Sequence, residues 1–114
     1  MPPEILAIFY AQMGKMLETG ALRIWDAEIK RTAVPDTISG MYNAISTKGN
    51  NQCCEFGVLD LESCISGVEL YYDAEYLARN SKPIPNHMAT DLFGHLQGDE
   101  IFGAVVLRRK ERDS

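Results

Sequence analysis

The sequence predicts an α+β fold, in which a small mixed or mainly antiparallel sheet of about five strands carries two or three helices. Short apolar or alternating segments, such as 68–73 and 101–107, are typical of strands. Segments with helical spacing separate pairs of such strands instead of following every strand, which favours α+β over a parallel sheet. The predicted order is α-β-β-α-β-β-α-β, and we expect the helices to lie on one face of the sheet.

The first element is a predicted helix over residues 3–18. Pro2 and Pro3 suit its start, where the missing proline N–H is not needed. Apolar residues then follow helical spacing, and Gly20 suits the end. The predicted organisation is an amphipathic packing or dimerisation arm at 1–20, one α+β domain at 21–110 and a tail at 111–114.

The segment after this helix has two interpretations. ALRIWD at 21–26 alternates in polarity, and Asp26-Ala27 is a plausible tight turn before EIKRTAV at 28–34, which together predict a hairpin. A continuous helix over 21–33 is the alternative, because Ala, Leu, Arg, Glu and Lys all favour helix.

A second helix is predicted after Pro35, where Asp36 or Thr37 is a suitable N-cap. Its apolar positions follow the spacing i, i+3, i+4 and i+7, which is typical of an amphipathic helix. These positions are Ile38, Met41, Tyr42 and Ile45.

The C-terminal half is predicted to contain three strands and a third helix. Asn86 is a suitable N-cap for this helix, and Gly94 suits its C-terminus. Gly103, inside the last apolar run, indicates a bulge or a close neighbour. We expect the charged segment 108–112 to be a solvated, frayed tail. The predicted strands are 53–60, 68–73 and 101–107.

Composition is typical of one globular domain: 114 residues, 46% hydrophobic and 24% charged. The net charge of −5 argues against nucleic-acid binding, and we see neither a secretory leader nor an apolar run long enough to span a membrane. Three cysteines, two of them adjacent, fit a reducing compartment better than a disulfide framework. We therefore predict a cytoplasmic protein that binds neither nucleic acid nor membrane.

A series of short segments resembles one known family. These segments are LRIWD with EIKRTAV, PDTISGMYNAI, CEFGVLD, GVELYYDAEY, PNHMATDLFG and GDEIFGAVVL. From about Leu22 to Leu107 the chain is similar to the domain of unknown function 3846, found in small phage, bacterial and algal-virus proteins. The resemblance implies a viral or phage origin but no activity, and the helix at 3–18 lies outside it. The most family-like positions are Asn86, Ala89, Thr90, Leu92, Gly98, Asp99, Ile101, Gly103 and Val105.

Three residues of the third helix are candidate metal ligands. His87, Asp91 and His95 stand at i, i+4 and i+8, and on an unbroken helix they would share one face. A helix end at Gly94 would remove His95 from that face, so a solvated outer face is favoured. We predict no metal and no cofactor.

Two other pairs have functional interpretations that the residues do not favour. Asp73 and Glu75 would serve as an acid–base pair, but aspartate after a strand is more typical of a turn. In the predicted strand, the adjacent residues Cys53 and Cys54 would face opposite sides, which argues against a shared zinc ion. We predict no catalytic residue.

Aromatic residues are the remaining candidates for binding. Trp25, Tyr71, Tyr72 and Tyr76 form either an aromatic interaction surface or the rim of the core, and both interpretations are open. On the first helix, we predict that the apolar stripe with Phe9 and Met13 docks against a second copy to form a homodimer.

The predicted function is a small non-enzymatic protein-interaction or regulatory module that acts through protein contacts. The alternative is a small-ligand-binding or metal-dependent enzyme that uses His87 with Asp91, or Asp73 with Glu75. Nucleic-acid binding by the basic segment is the least favoured, because the chain is acidic.

Overall fold

Residues 1–46 and 55–111 are described by the computed structural model, in which helices pack on a five-stranded sheet. The strands are β1 (Ala21–Trp25), β2 (Glu28–Thr32), β3 (Phe56–Asp60), β4 (Val68–Asp73) and β5 (Val105–Arg109). The helices are α1 (Pro3–Met16), α2 (Ile38–Ile45), α3 (Tyr76–Arg79) and α4 (His87–Gln97). The predicted α+β class is confirmed, and the order differs only by α3, one turn of helix within a predicted loop.

The sheet is antiparallel throughout, with strand order β2-β1-β5-β4-β3. β5 lies in the middle because it is apolar on both sides, and Val105, Val106 and Leu107 are fully buried. Leu107 is paired with Leu22 on one neighbouring strand and with Leu70 on the other. These leucines form a row across the sheet on which helices pack.

The last strand is shorter than predicted. The sequence predicts paired extended chain over 101–107, but the strand begins at Val105. Gly103 interrupts the extended chain with a positive φ of 75°, a conformation that glycine adopts easily. A Cβ at this position would lie 2.9 Å from Cδ1 of Tyr76, so the predicted close neighbour of Gly103 is the Tyr76 ring.

The hairpin interpretation of residues 21–33 is confirmed. β1 and β2 pair with Trp25 opposite Glu28, which leaves Asp26 and Ala27 as a two-residue turn. Both turn residues have positive φ, 54° and 62°. Such a turn matches the right-handed twist of the strands that it joins.

The helices lie on both faces of the sheet, so the prediction of a single helical face is wrong. α1 and α4 contribute to the larger core, on the face that includes Leu70 and Leu107. α2 packs on the opposite face, because the alternate residues Tyr71 and Val106 are also buried there. The predicted N-cap of α2 is confirmed, since the Thr37 hydroxyl accepts a hydrogen bond from the Gly40 N–H at 3.0 Å.

α4 begins where the sequence predicts. Oδ1 of Asn86 accepts a hydrogen bond from the Ala89 N–H at 3.1 Å, which confirms the N-cap. Nδ2 of the same buried side chain donates to the carbonyls of Ile24 and Gly103, each at 2.9 Å. One residue therefore fixes the start of α4 against β1 and the approach to β5.

The predicted end of α4 at Gly94 is wrong. The helix continues through Gln97, and Gly98 forms its left-handed C-cap with a φ of 75°. Gly94 is buried inside the helix, where a Cβ would lie 3.0 Å from Cγ2 of Thr90. This glycine permits close packing, and the next glycine supplies the helix end.

The charged C-terminal segment is built into the fold as far as the structure describes it, so the predicted frayed tail is wrong there. Arg108 and Arg109 belong to β5. The Arg108 guanidinium lies 5.0 Å from the centre of the Tyr71 ring and donates to the Pro35 carbonyl at 2.8 Å. Arg112, Cys53 and Cys54 lie outside the described residues, and β3 begins at Phe56.

Candidate functional site

One side of α1 belongs to the larger core. Met13 and Leu17 are buried, and the Tyr10 ring stacks on Phe93 with their centroids 5.6 Å apart. The Tyr10 hydroxyl donates a hydrogen bond to the Leu92 carbonyl. These contacts fix α1 against α4. They also place Met13, a predicted interaction residue, inside the core at 2% exposure.

The opposite side of α1 is apolar and exposed. Ile5, Ile8 and Phe9, here called the outer α1 face, are 45%, 58% and 37% exposed. Glu4 and Lys15 stand four residues before and seven residues after Ile8, so all three lie along one line of the helix. The outer α1 face therefore has an acidic residue near one end and a basic residue near the other.

Two clefts continue this apolar surface toward the β1–β2 turn. One, of about 300 Å³, lies between Phe9 on α1 and Met88 on α4. The second, of about 230 Å³, lies beside Trp25 and shares Met88 with the first. The structure thus brings Phe9 and Trp25, both predicted interaction residues, to neighbouring clefts on one side of the molecule.

The three predicted interaction tyrosines do not form one surface. Tyr71 is buried under α2, where its hydroxyl donates to Glu69 at 2.7 Å; burial, and then this hydrogen bond, raise its pKa. Tyr72 packs on the opposite face of the sheet. Tyr76 is 4% exposed, and its hydroxyl accepts a hydrogen bond from the Ile84 N–H at 3.2 Å. All three contribute to packing.

The candidate metal ligands lie on one continuous helix, but they are spread along it. His87 and His95 are eight positions apart, which is about 12 Å along the axis of a helix, too far for one ion. His87 and Asp91 border the cleft next to Phe9. Within residues 1–46 and 55–111, no group of three His, Cys, Asp or Glu side chains is placed to hold a metal ion.

The candidate acid–base pair stabilises a turn. Oδ1 of Asp73 accepts a hydrogen bond from the Glu75 N–H at 2.9 Å, and Oδ2 pairs with Arg79. Asp73 is 4% exposed, and the Glu75 carboxylate lies 3.8 Å from Nε of Arg79. Both carboxylates therefore hold the start of α3.

Lys110, the residue after β5, is paired with one carboxylate at the end of β3 and one in the β3–β4 connection. Nζ of Lys110 lies 3.0 Å from Asp60 and 3.2 Å from Glu62. These hydrogen bonds raise the pKa of Lys110, and the bond from Lys110 lowers the pKa of Asp60. The positive charge of Lys110 is thus paired at the edge of the sheet that β3 forms.

Sequence reasoning missed a pair of side chains from distant segments. Sγ of Cys64, in the connection between β3 and β4, lies 3.6 Å from Nε2 of His95 near the end of α4. The two residues are 31 positions apart, and no spacing rule links them. The spatial contact becomes visible only once α4 extends beyond Gly94.

Comparisons of the chain with protein-family models, with curated proteins and with solved structures gave no match. The resemblance to the domain of unknown function 3846 stays a prediction. Across the part of the chain that the structure describes, every helix is too short or too polar to cross a bilayer.

Proposed function

We propose that this chain is a non-enzymatic protein-interaction module that pairs with a second copy of itself through the outer α1 face. The supporting observation is that Ile8 is 58% exposed on a helix whose other side is buried in the core. Exposed apolar side chains that form a continuous patch are typical of interaction sites. A regulatory role and the phage or viral origin that the resemblance implies belong to the same proposal.

The charges at the two ends of α1 favour a second copy as the partner. Two α1 helices that pair antiparallel about a two-fold axis bring the start of each helix next to the end of the other. Glu4 of one copy then meets Lys15 of the second copy, and Ile8 lies near the middle of the contact. The outer α1 face is therefore complementary to itself in charge.

The symmetry also makes each side chain count twice. Burial of an isoleucine contributes about 1.5–3 kcal/mol, and in a two-fold interface one substitution removes the residue from both copies. A contact built from one helix of each copy is small, so the loss of Ile8 on both sides abolishes it.

The enzymatic alternative receives less support from the placement of its residues. His87 and Asp91 border an apolar cleft, where they suit the polar rim of a contact. Asp73 is engaged by Arg79 and by the backbone of Glu75.

The experiment measures mass by sedimentation equilibrium for the full chain and for two single variants. Ile8→Glu places a charge in the proposed contact, whereas Ile38→Glu is the matched control, since Ile38 is 66% exposed on α2. We expect the wild type and Ile38→Glu to reach twice the chain mass of 12.7 kDa, and Ile8→Glu to remain at 12.7 kDa.

A wild type that stays at the single-chain mass over the whole concentration range contradicts the proposal. So does a dimer that Ile8→Glu leaves intact. Circular dichroism is used to check that both variants fold. Ile5→Glu is a second, independent substitution that places a charge in the same face.

A further inference from the structure

A further cleft, distinct from the two beside Phe9 and Trp25, flanks α1 on the side away from Phe9. It has a volume of about 650 Å³ and is open to solvent. Tyr10 and Gly14 of α1 form one wall, Cys64 lies on the β3–β4 connection, and Arg109 comes from β5. We call it the Cys64 cleft. It is separate from the outer α1 face in position and in chemistry, because its lining includes a thiol, a phenol and a guanidinium group.

The connection that carries Cys64 is held in place. The Cys64 N–H donates to the Leu61 carbonyl at 2.8 Å, and both Leu61 and Ile65 are buried in the core. The thiol is therefore presented to the cleft from a fixed turn, and its residue remains half-exposed.

Two polar side chains from different helices meet this thiol. Nε2 of His95 lies 3.6 Å from Sγ, within the range of a hydrogen bond to sulfur. Tyr10 lines the cleft beside the thiol, and the pKa of Tyr10 is raised, first by burial and then by the neighbouring Cys64. A histidine within hydrogen-bond reach of a thiol is the arrangement in which an adjacent base activates a cysteine nucleophile.

The positive charge of Arg109 at the cleft favours reactants that carry a negative charge. Nη2 of Arg109 donates to the Gly14 carbonyl at 2.8 Å, which holds the guanidinium group at the cleft wall. A fixed positive charge attracts reactants that carry carboxylates.

We propose that Cys64 is a thiol–disulfide exchange site for small disulfides that carry carboxylates, with His95 as the base and Arg109 as the anion-binding group. Nε2 of His95 takes the thiol proton, and the thiolate attacks one sulfur of the disulfide. A new S–S bond forms to Cys64 as the S–S bond of the reactant breaks. The released half leaves as a thiolate and takes the proton from His95, so Cys64 is oxidised and the leaving half is reduced.

The test uses dithiobis(nitrobenzoate), a disulfide with two carboxylates whose released thiolate is coloured. In a chain with Cys53→Ser and Cys54→Ser, Cys64 is the remaining cysteine. General-base assistance contributes about 100-fold or more, so we expect His95→Gln to slow the reaction of the folded protein at least about tenfold. His87→Gln, an exposed histidine on the same helix, is the matched control and leaves the rate unchanged.

The role of Arg109 has its own comparison. Arg109→Gln slows the reaction with dithiobis(nitrobenzoate) but leaves the reaction with neutral dithiodipyridine unchanged. Rates measured in denaturant are equal for all variants, which shows that the differences belong to the folded cleft.

Equal rates for His95→Gln and its parent overturn the proposal, as does a folded-state rate for Cys64 no faster than the rate in denaturant. If the double serine chain does not fold, mass-spectrometric mapping of the wild type gives the rate of Cys64 separately from the other two cysteines. Self-association is measured independently, so failure of one proposal leaves the other standing.

Discussion

The two sides of α1 carry similarly apolar side chains but differ in what covers them. Met13 is 2% exposed against the sheet and α4, whereas Ile8, on the other side of the same helix, is 58% exposed. The sheet face is already partly filled by α4, so it requires only one side of α1. Helical spacing predicts that α1 carries apolar residues on its surface. The tertiary fold decides which of these residues are buried in the monomer and which remain exposed for a partner.

The largest expected effect is on the buried side. Met13→Ala removes a side chain from the core, and we expect it to lower the free energy of unfolding by about 2–5 kcal/mol. Urea unfolding in the Ile8→Glu background measures this without a contribution from self-association. Gln12→Ala, the exposed neighbour on the same helix, is the control and changes stability by less than about 0.5 kcal/mol. Equal effects of the two substitutions would show that α1 is not docked.

Local signals predicted the secondary structure well because their causes are local. The N-caps Thr37 and Asn86 need only a side chain within one helical turn, and the Asp26-Ala27 turn needs only alternating strands on each side. Gly94 and Gly98 both suit a helix end by residue type, but Gly94 lies inside α4, where a Cβ would lie 3.3 Å from the Asp99 carbonyl oxygen, and Gly98 forms the left-handed C-cap.

The candidate site was less predictable, because it depends on which face each element covers. Trp25 and Tyr71 carry the same aromatic signal in the sequence, but Trp25 lies at a cleft and Tyr71 is buried under α2. The Cys64–His95 contact joins a loop to a helix end, and nothing in the sequence around either residue points to the other.

A smaller effect is expected from the hydrogen bond that ties α1 to α4. Tyr10→Phe keeps the ring stacked on Phe93 but removes the hydrogen bond from the Tyr10 hydroxyl to the Leu92 carbonyl. We expect the free energy of unfolding to fall by about 0.5–1.5 kcal/mol, again in the Ile8→Glu background. Unchanged stability would mean that ring packing alone holds this side of α1.

The smallest effect concerns the charges on the exposed side. Lys15→Glu places two acidic residues at each end of the proposed antiparallel pair, and an exposed ion pair contributes about 0.2–1 kcal/mol. We therefore expect self-association to weaken by up to about fivefold per ion pair. We expect the double variant with Glu4→Lys and Lys15→Glu, in which the two charges are exchanged, to restore self-association. Sedimentation at low salt measures both, and weakening without restoration would argue against the antiparallel arrangement.

The most direct test of the account is a zero-length carbodiimide cross-link in a mixture of unlabelled and heavy-nitrogen-labelled protein. Glu4 and Lys15 are eleven residues apart on α1, about 16 Å along the helix, which is too far to be joined within one chain. We expect a Glu4–Lys15 cross-linked peptide that combines one unlabelled and one labelled half. Cross-links between chains that consistently join other elements, or the absence of any mixed-label peptide from the wild-type protein, would contradict the outer α1 face as the contact.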